Sequence, residues 1–182
     1  MSRLERLIDR YAEHISTPWP DGLSGVERVI FAVYPPAEEL RLRAHIAEFE
    51  LRTRDADHGW KLLDLTDAFP RWMAAHRYRD KYFRRPALLA GYAEGRLTEF
   101  TTHLVEHTRA QVARASDNDI VALAGVGALF GVSSVSRLVE QAAPAINGRL
   151  VVFFPGEVEN NNYRLLDARD GWNYMAHAIT GD

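Results

Sequence analysis

Four short stretches carry residue types and spacings that could do chemistry. The first runs from Arg149 to Asp167, RLVVFFPGEVENNNYRLLD. An apolar run stops at Pro155-Gly156, and an acid, Glu157, follows with three asparagines. A carboxylate at the carboxyl end of a buried strand is placed where α/β proteins build sites, and it can serve as a general acid or base. Alone, without a partner histidine, nucleophile or metal set, it describes no reaction class.

The second stretch is Gly125-Val126-Gly127. A glycine turn after a strand invites a phosphate-binding role, but the spacing fails both tests. A GxxxxGK[ST] loop would need a glycine five residues on, where Phe130 and Val132 stand, and a lysine that is nowhere near. A GxGxxG fingerprint meets Phe130 at its last position, with Gly131 one residue late. A helix start at Ser133-Ser134 keeps the ability to bind an anion. Nothing here calls for ATP hydrolysis or a bound cofactor.

The third stretch, His103-Leu104-Val105-Glu106-His107, matches the H-x-x-E-H pattern. On a helix the two histidines lie one turn apart and could share a metal, with Glu106 as base. A third ligand is required, and nothing marks Glu140 or Glu157 for that role. Helical faces offer many chance i,i+4 histidines, and a solvated face is the commoner explanation of such a short match, so no metal is expected. No GxSxG elbow is present, and Glu38 and Glu39, as helical neighbours, point apart.

The fourth stretch interleaves Arg71, Arg77, Arg79, Lys81, Arg84 and Arg85 with Trp72, Tyr78, Tyr82 and Phe83. Such a mixture can hold single-stranded nucleic acid through phosphate contacts and stacking. It can also anchor a protein interface, where Arg, Trp and Tyr are enriched. A plain solvated connector with core aromatics is the third alternative. The candidate contacts are Arg71, Arg77, Arg79, Arg84, Arg85 and Tyr82.

These residues need elements to position them. Leu4, Leu7, Ile8, Tyr11 and Ile15 have helical spacing, so residues 1–15 read as an N-terminal helix, followed by a turn-rich linker over 16–27. VIFAVY (29–34) reads as a buried strand closed by Pro35-Pro36. Residues 37–54 then read as one helix lined by Leu40, Ala44, Ala47 and Leu51. WKLLDL (60–65) is the second strand, with Thr66 or Asp67 capping a short helix after it. Residues 78–85 read as a connection, and Pro86 as the start of a long helix broken near Gly91 or Gly95. DIVALA (119–124) is the third strand, a helix capped by Ser133 or Ser134 follows to about residue 142, and residues 150–154 form the fourth strand. Residues 163–166 and 172–179 allow strand or other structure.

Strands alternating with helices, and strands that are continuous apolar runs, predict a single three-layer α/β domain over residues 1–182. Its mainly parallel sheet would have about five strands flanked by helices. The turns at Pro35-Pro36, Gly125–Gly127 and Pro155–Glu157 would then share one carboxyl edge. The candidate ligand or partner crevice there comprises Gly125, Gly127, Pro155, Gly156, Glu157 and Asn160.

Composition narrows the class further. The formal charge of −3 argues against a dedicated nucleic-acid coat. Lys61 and Lys81 are the only lysines, every other basic residue being arginine. No cysteine is present, which excludes disulfides and thiolate metal sites and fits a cytoplasmic protein. No apolar run reaches the roughly 20 residues of a membrane span, and the charged N-terminus does not read as a secretory signal.

Several of these stretches together resemble the BrxB family of BREX bacteriophage-defence systems. They are VIFAVYPPAEELRLRAHI, KLLDL, DIVALAGVGALFGVSSVSRLVE, GRLVVFFPGEVENNNYRLLD and GWNYMAHAI. The three asparagines at 160–162 stand where the family has a glycine-containing turn. The resemblance spreads over nearly the full chain. It implies a small component of a multi-protein system that modifies host DNA and restricts phage. It also implies a P-loop-NTPase-like outline without Walker motifs, and it brings no catalytic residues with it. The expected role is non-enzymatic interaction or assembly with other BREX proteins, foremost the phosphatase-like, PglZ-type component. The alternative is a nucleic-acid or anionic-ligand binding module in the same system.

Overall fold

The structure is a computed structural model. It describes residues 1–91, 93–168 and 171–182, and of residues 90, 91 and 93–97 the backbone alone.

Strand β1 (Val29–Tyr34) is buried along its whole length because both its faces are covered. Val29, Phe31 and Val33 join one core, Ile30, Ala32 and Tyr34 the other. The same alternation continues in β3 (Asp119–Ala124) and in the first half of β4 (Arg149–Glu159). This two-sided burial is why these strands are continuous apolar runs. β2 (Gly59–Asp64) lies at the sheet edge and is only half buried.

The path β2-β3-β4-β1-β7 is parallel throughout, with β7 at His177–Thr180. The sheet as a whole has seven strands and is mixed, which corrects the expected mainly parallel sheet of about five. β5 (Asn162–Leu165) pairs antiparallel with the outer half of β4, and β6 (Trp172–Asn173) antiparallel with β5. The added strands fall in the segments around 163–166 and 172–179, where the sequence allowed strand among other structures.

Helix α1 (Arg3–Ser16) buries Leu4, Leu7, Ile8, Tyr11 and Ile15, as the spacing predicts. Ser2 and Glu5 close its start in a reciprocal capping box. It shares one face of the sheet with α2 (Glu39–Ala44) and α3 (Ile46–Asp55). The expected single helix over 37–54 is therefore divided. A 3-10 turn opens it at Pro36–Glu38, and His45 interrupts it. The predicted face is also wrong. Leu40 and Leu51 are exposed, whereas Leu42, Phe49 and Thr53 are buried. Phe49 decides the rotation, since its ring packs against Tyr11 and Phe153.

The opposite face carries α4 (Ala68–Ala75), α7 (Ala93–Arg114) and α8 (Val135–Ala142), through residues such as Phe69, Phe100, Leu104 and Leu138. Ser134 caps α8 by accepting from the Arg137 backbone. Residues 79–84, first taken as connection, form the short helix α5 (Arg79–Arg84), followed by α6 (Ala87–Gly91). Gly95, one of the expected break points, lies among the residues described by backbone only, within α7.

β4 does not end at Pro155-Gly156 as expected but continues to Glu159. Pro155 is tolerated because β3 has stopped pairing at Val152 and β5 first pairs at Gly156. Its carbonyl still accepts from the Leu166 backbone at 2.8 Å. Asn160 and Asn161 form the two-residue turn, both at positive φ, as a type I′ hairpin requires. The hairpin folds back on the sheet through Phe31, Phe154, Tyr163 and Trp172, whose ring centres lie 4.5 to 6.0 Å apart.

Candidate functional site

The carboxyl edge holds a polar chain that links the ends of β1 and β2. The Tyr34 hydroxyl donates to Glu39, and Arg43 lies 3.7 Å from Glu39. Arg43 also donates to Asp64 at 2.5 Å and to the Thr66 hydroxyl at 2.8 Å. Asp64 accepts from the backbone and the hydroxyl of Thr66. Burial pushes the Asp64 carboxyl up, but the Thr66 bonds and the Arg43 guanidinium outweigh it and hold it below its ordinary value. Burial, then the Glu39 bond, pushes the Tyr34 phenol up. Hydrogen bonding to Asp64 holds the Arg43 charge in place.

Gly125 takes its place in this chain by shape. It has φ +73°, and a Cβ there would fall 2.3 Å from the Thr66 hydroxyl. Each charge in the chain has an opposite partner, Arg43 serving both Glu39 and Asp64. The sequence did not single out Arg43 or Asp64, and it offered Thr66 only as a helix cap. The available signal was the Asp and Thr directly after the strand run WKLLDL.

The six expected crevice residues do not form one site. Gly127 packs against Pro155. Gly156 and Glu157 border a cavity of about 450 Å³ with Tyr34, Pro35 and Pro36. Asn160 sits at the hairpin turn and shares a separate, open hollow of about 630 Å³ with Glu157 and Glu159. Gly125 belongs to the Asp64–Thr66 chain. Glu157 is exposed and lies 3.8 Å from Arg164.

His103 and His107 border a groove of about 570 Å³ between α4 and α7, beside Arg71, Trp72, Asp64 and Asp67. Among the described residues, no group of three or more His, Asp or Glu could hold a metal ion.

The basic-aromatic stretch is a surface. Arg71, Arg77, Arg79, Lys81, Arg84 and Arg85 are exposed on and around α4 and α5. Phe83 is 63% exposed and Tyr78 41%, so the aromatics between the charges are not all core. Tyr82 is the correction. It is 2% exposed and packs toward His76, because α5 turns that side inward, and it cannot be a surface contact.

Fold and surfaces together define a two-faced α/β domain with a paired carboxyl edge and a basic, aromatic flank, and among the described residues no helix is long and apolar enough to cross a membrane. A family model described as BREX protein BrxB matches residues 80–179, more than half of the chain. The chain belongs to the BrxB family and is thereby a component of BREX phage defence. The match starts in α5 and ends in β7, so it takes in the Gly125–Gly127 turn and the hairpin. The stretches around β1 and β2 that carried part of the resemblance lie outside it. No curated protein and no solved structure matches the chain.

Proposed function

We propose that the chain is a non-enzymatic interaction or assembly subunit of its BREX system, docking on another BREX protein through α4 and α5. The observation that carries this reading is Phe83, left 63% exposed among Arg79, Lys81, Arg84 and Arg85. Exposed aromatic area rimmed by arginine is what a partner covers, and the arginines favour an acidic counterpart. The phosphatase-like, PglZ-type component is the favoured partner, and the cytoplasm the favoured location. With this goes a finer reading of the fold as P-loop-NTPase-like in outline. The parallel path β2-β3-β4-β1-β7 supports that outline, and a Pro35-Pro36 turn rather than a glycine-rich phosphate loop follows β1.

Co-purification from cells expressing the whole system tests the proposal. Tagged wild-type chain is expected to retain at least one BREX protein. A Phe83→Ala, Arg84→Glu, Arg85→Glu variant with unchanged melting temperature is expected to lose it. Wild type that retains no BREX protein while phage restriction stays intact would sink the assembly role.

The same exposed arginines support the nucleic-acid alternative. A gel shift with single- or double-stranded DNA that weakens steeply with salt, and weakens again in Arg84→Ala plus Arg85→Ala, would favour it.

A further inference from the structure

The amino-terminal edge of the sheet, opposite the Arg43-paired carboxyl edge, opens into a cavity of about 760 Å³. Residues 16–22 form one wall, and the residues leading into β1, β2, β3 and β4 form the rest. That volume lies within the range of small-molecule sites.

Arg149, the first residue of β4, borders this cavity and is only 6% exposed. Its guanidinium carbon lies 4.4 Å from the Trp19 ring centre, and Trp19 in turn stacks on His58 at 3.9 Å. One of its nitrogens donates to the Gly148 carbonyl at 3.0 Å. Arg28 borders the same cavity and donates to the Leu23 and Asn147 carbonyls. Among the described residues, no carboxylate pairs with either arginine. Asp21 and Asp117 border the cavity but bind neither.

A buried guanidinium normally has an anion beside it, because carbonyls and a ring face compensate only part of its lost hydration. Here the second charged group bordering the cavity near Arg149 is another guanidinium, that of Arg28. Burial first, and the Arg28 charge second, lower the pKa of Arg149. Among the described residues, each arginine keeps N–H groups that no carbonyl occupies, and a guanidinium fork suits a tetrahedral oxyanion.

We infer that this cavity is an oxyanion site in which Arg149 and Arg28 together hold a phosphate group, either free or carried on a small molecule. The bound anion supplies the charge that the fold leaves out. The site lies on the edge opposite the Gly125–Gly127 turn and uses none of the residues on which the assembly reading and its alternative rest.

Thermal melting of the full chain in inorganic phosphate, against sodium chloride at equal ionic strength, tests the site. Millimolar phosphate is expected to raise the wild-type melting temperature by about 4 °C. Arg149→Met, which keeps the buried stem, is expected to abolish the rise, and so is Arg28→Gln. The double variant Arg84→Ala plus Arg85→Ala is expected to keep it. If Arg149→Met does not fold, half-buried Arg28→Gln carries the test alone. AMP binding at least tenfold tighter than phosphate assigns the group to a carrier molecule, and equal binding assigns it to the free anion. No rise in wild type beyond the chloride control overturns the site, as does a rise that survives both single arginine variants.

Discussion

The imidazole of His14, on α1, lies stacked on that of His177, at the start of β7, with ring centres 4.0 Å apart and planes 8° from parallel. Burial, then the His177 and Arg149 charges, bring His14 down to about 4, and burial also lowers His177. In the unfolded chain both titrate near 6.5. Between those values the unfolded state binds protons that the folded state refuses. The contribution to stability is therefore full above about 6.5 and is lost as pH falls toward about 4. The urea midpoint is expected to be lower at pH 5 than at pH 7. His177→Gln is expected to make that dependence shallower.

Tyr11 and Thr53 tie α1 to α3 inside the core. The Thr53 hydroxyl donates to the Phe49 carbonyl, so the Tyr11 hydroxyl is the donor in their 2.6 Å bond. Both side chains are fully buried. Tyr11→Phe keeps the ring packing and removes one buried bond. It is expected to cost about 1 kcal/mol in urea unfolding, with the slope unchanged.

The hairpin turn depends on left-handed backbone at Asn160 and Asn161, at φ 49° and 62°. Asparagine tolerates this conformation and glycine adopts it freely, whereas a β-branched side chain resists it. Asn161→Gly is expected to leave the melting temperature equal or higher. Asn161→Val is expected to destabilise by about 1–2 kcal/mol.

Gly156 lets β4 and β5 approach. A Cβ there would lie 2.1 Å from the Arg164 carbonyl oxygen, which is backbone and cannot yield. Gly156→Ala is expected to lose about 1–3 kcal/mol and to raise amide exchange across Asn162–Leu165 before it does so in β1.

The parallel strands were legible because burial on both faces demands unbroken apolar runs, and residues 29–34 and 119–124 have them. α1 was legible because one face alone is buried. The outer half of β4 was hidden by Pro155-Gly156, which reads as a stop. It becomes a strand only because β3 has withdrawn and β5 arrives from later in the chain. The face of α2 and α3 was hidden for a related reason: Leu40 and Leu51 have helical spacing, but Phe49 fits between Tyr11 and Phe153, and that fit exists only in three dimensions. Of the candidate residues, the exposed arginines were legible from charge. The cavity at the other edge was not, because Arg149 in sequence is merely the residue before an apolar run.

β4 is one uninterrupted rod of eleven residues, roughly 33 Å from end to end at strand rise. Arg149 sits at one end, and Glu159, leading into the Asn160-Asn161 turn, at the other. Strands on either side clamp its middle. The two ends are thus held at a fixed spacing and orientation, as points on a ruler. Whatever engages the hairpin tip is kept a set distance from whatever occupies the arginine cavity, with no linker or hinge between them to absorb a misfit.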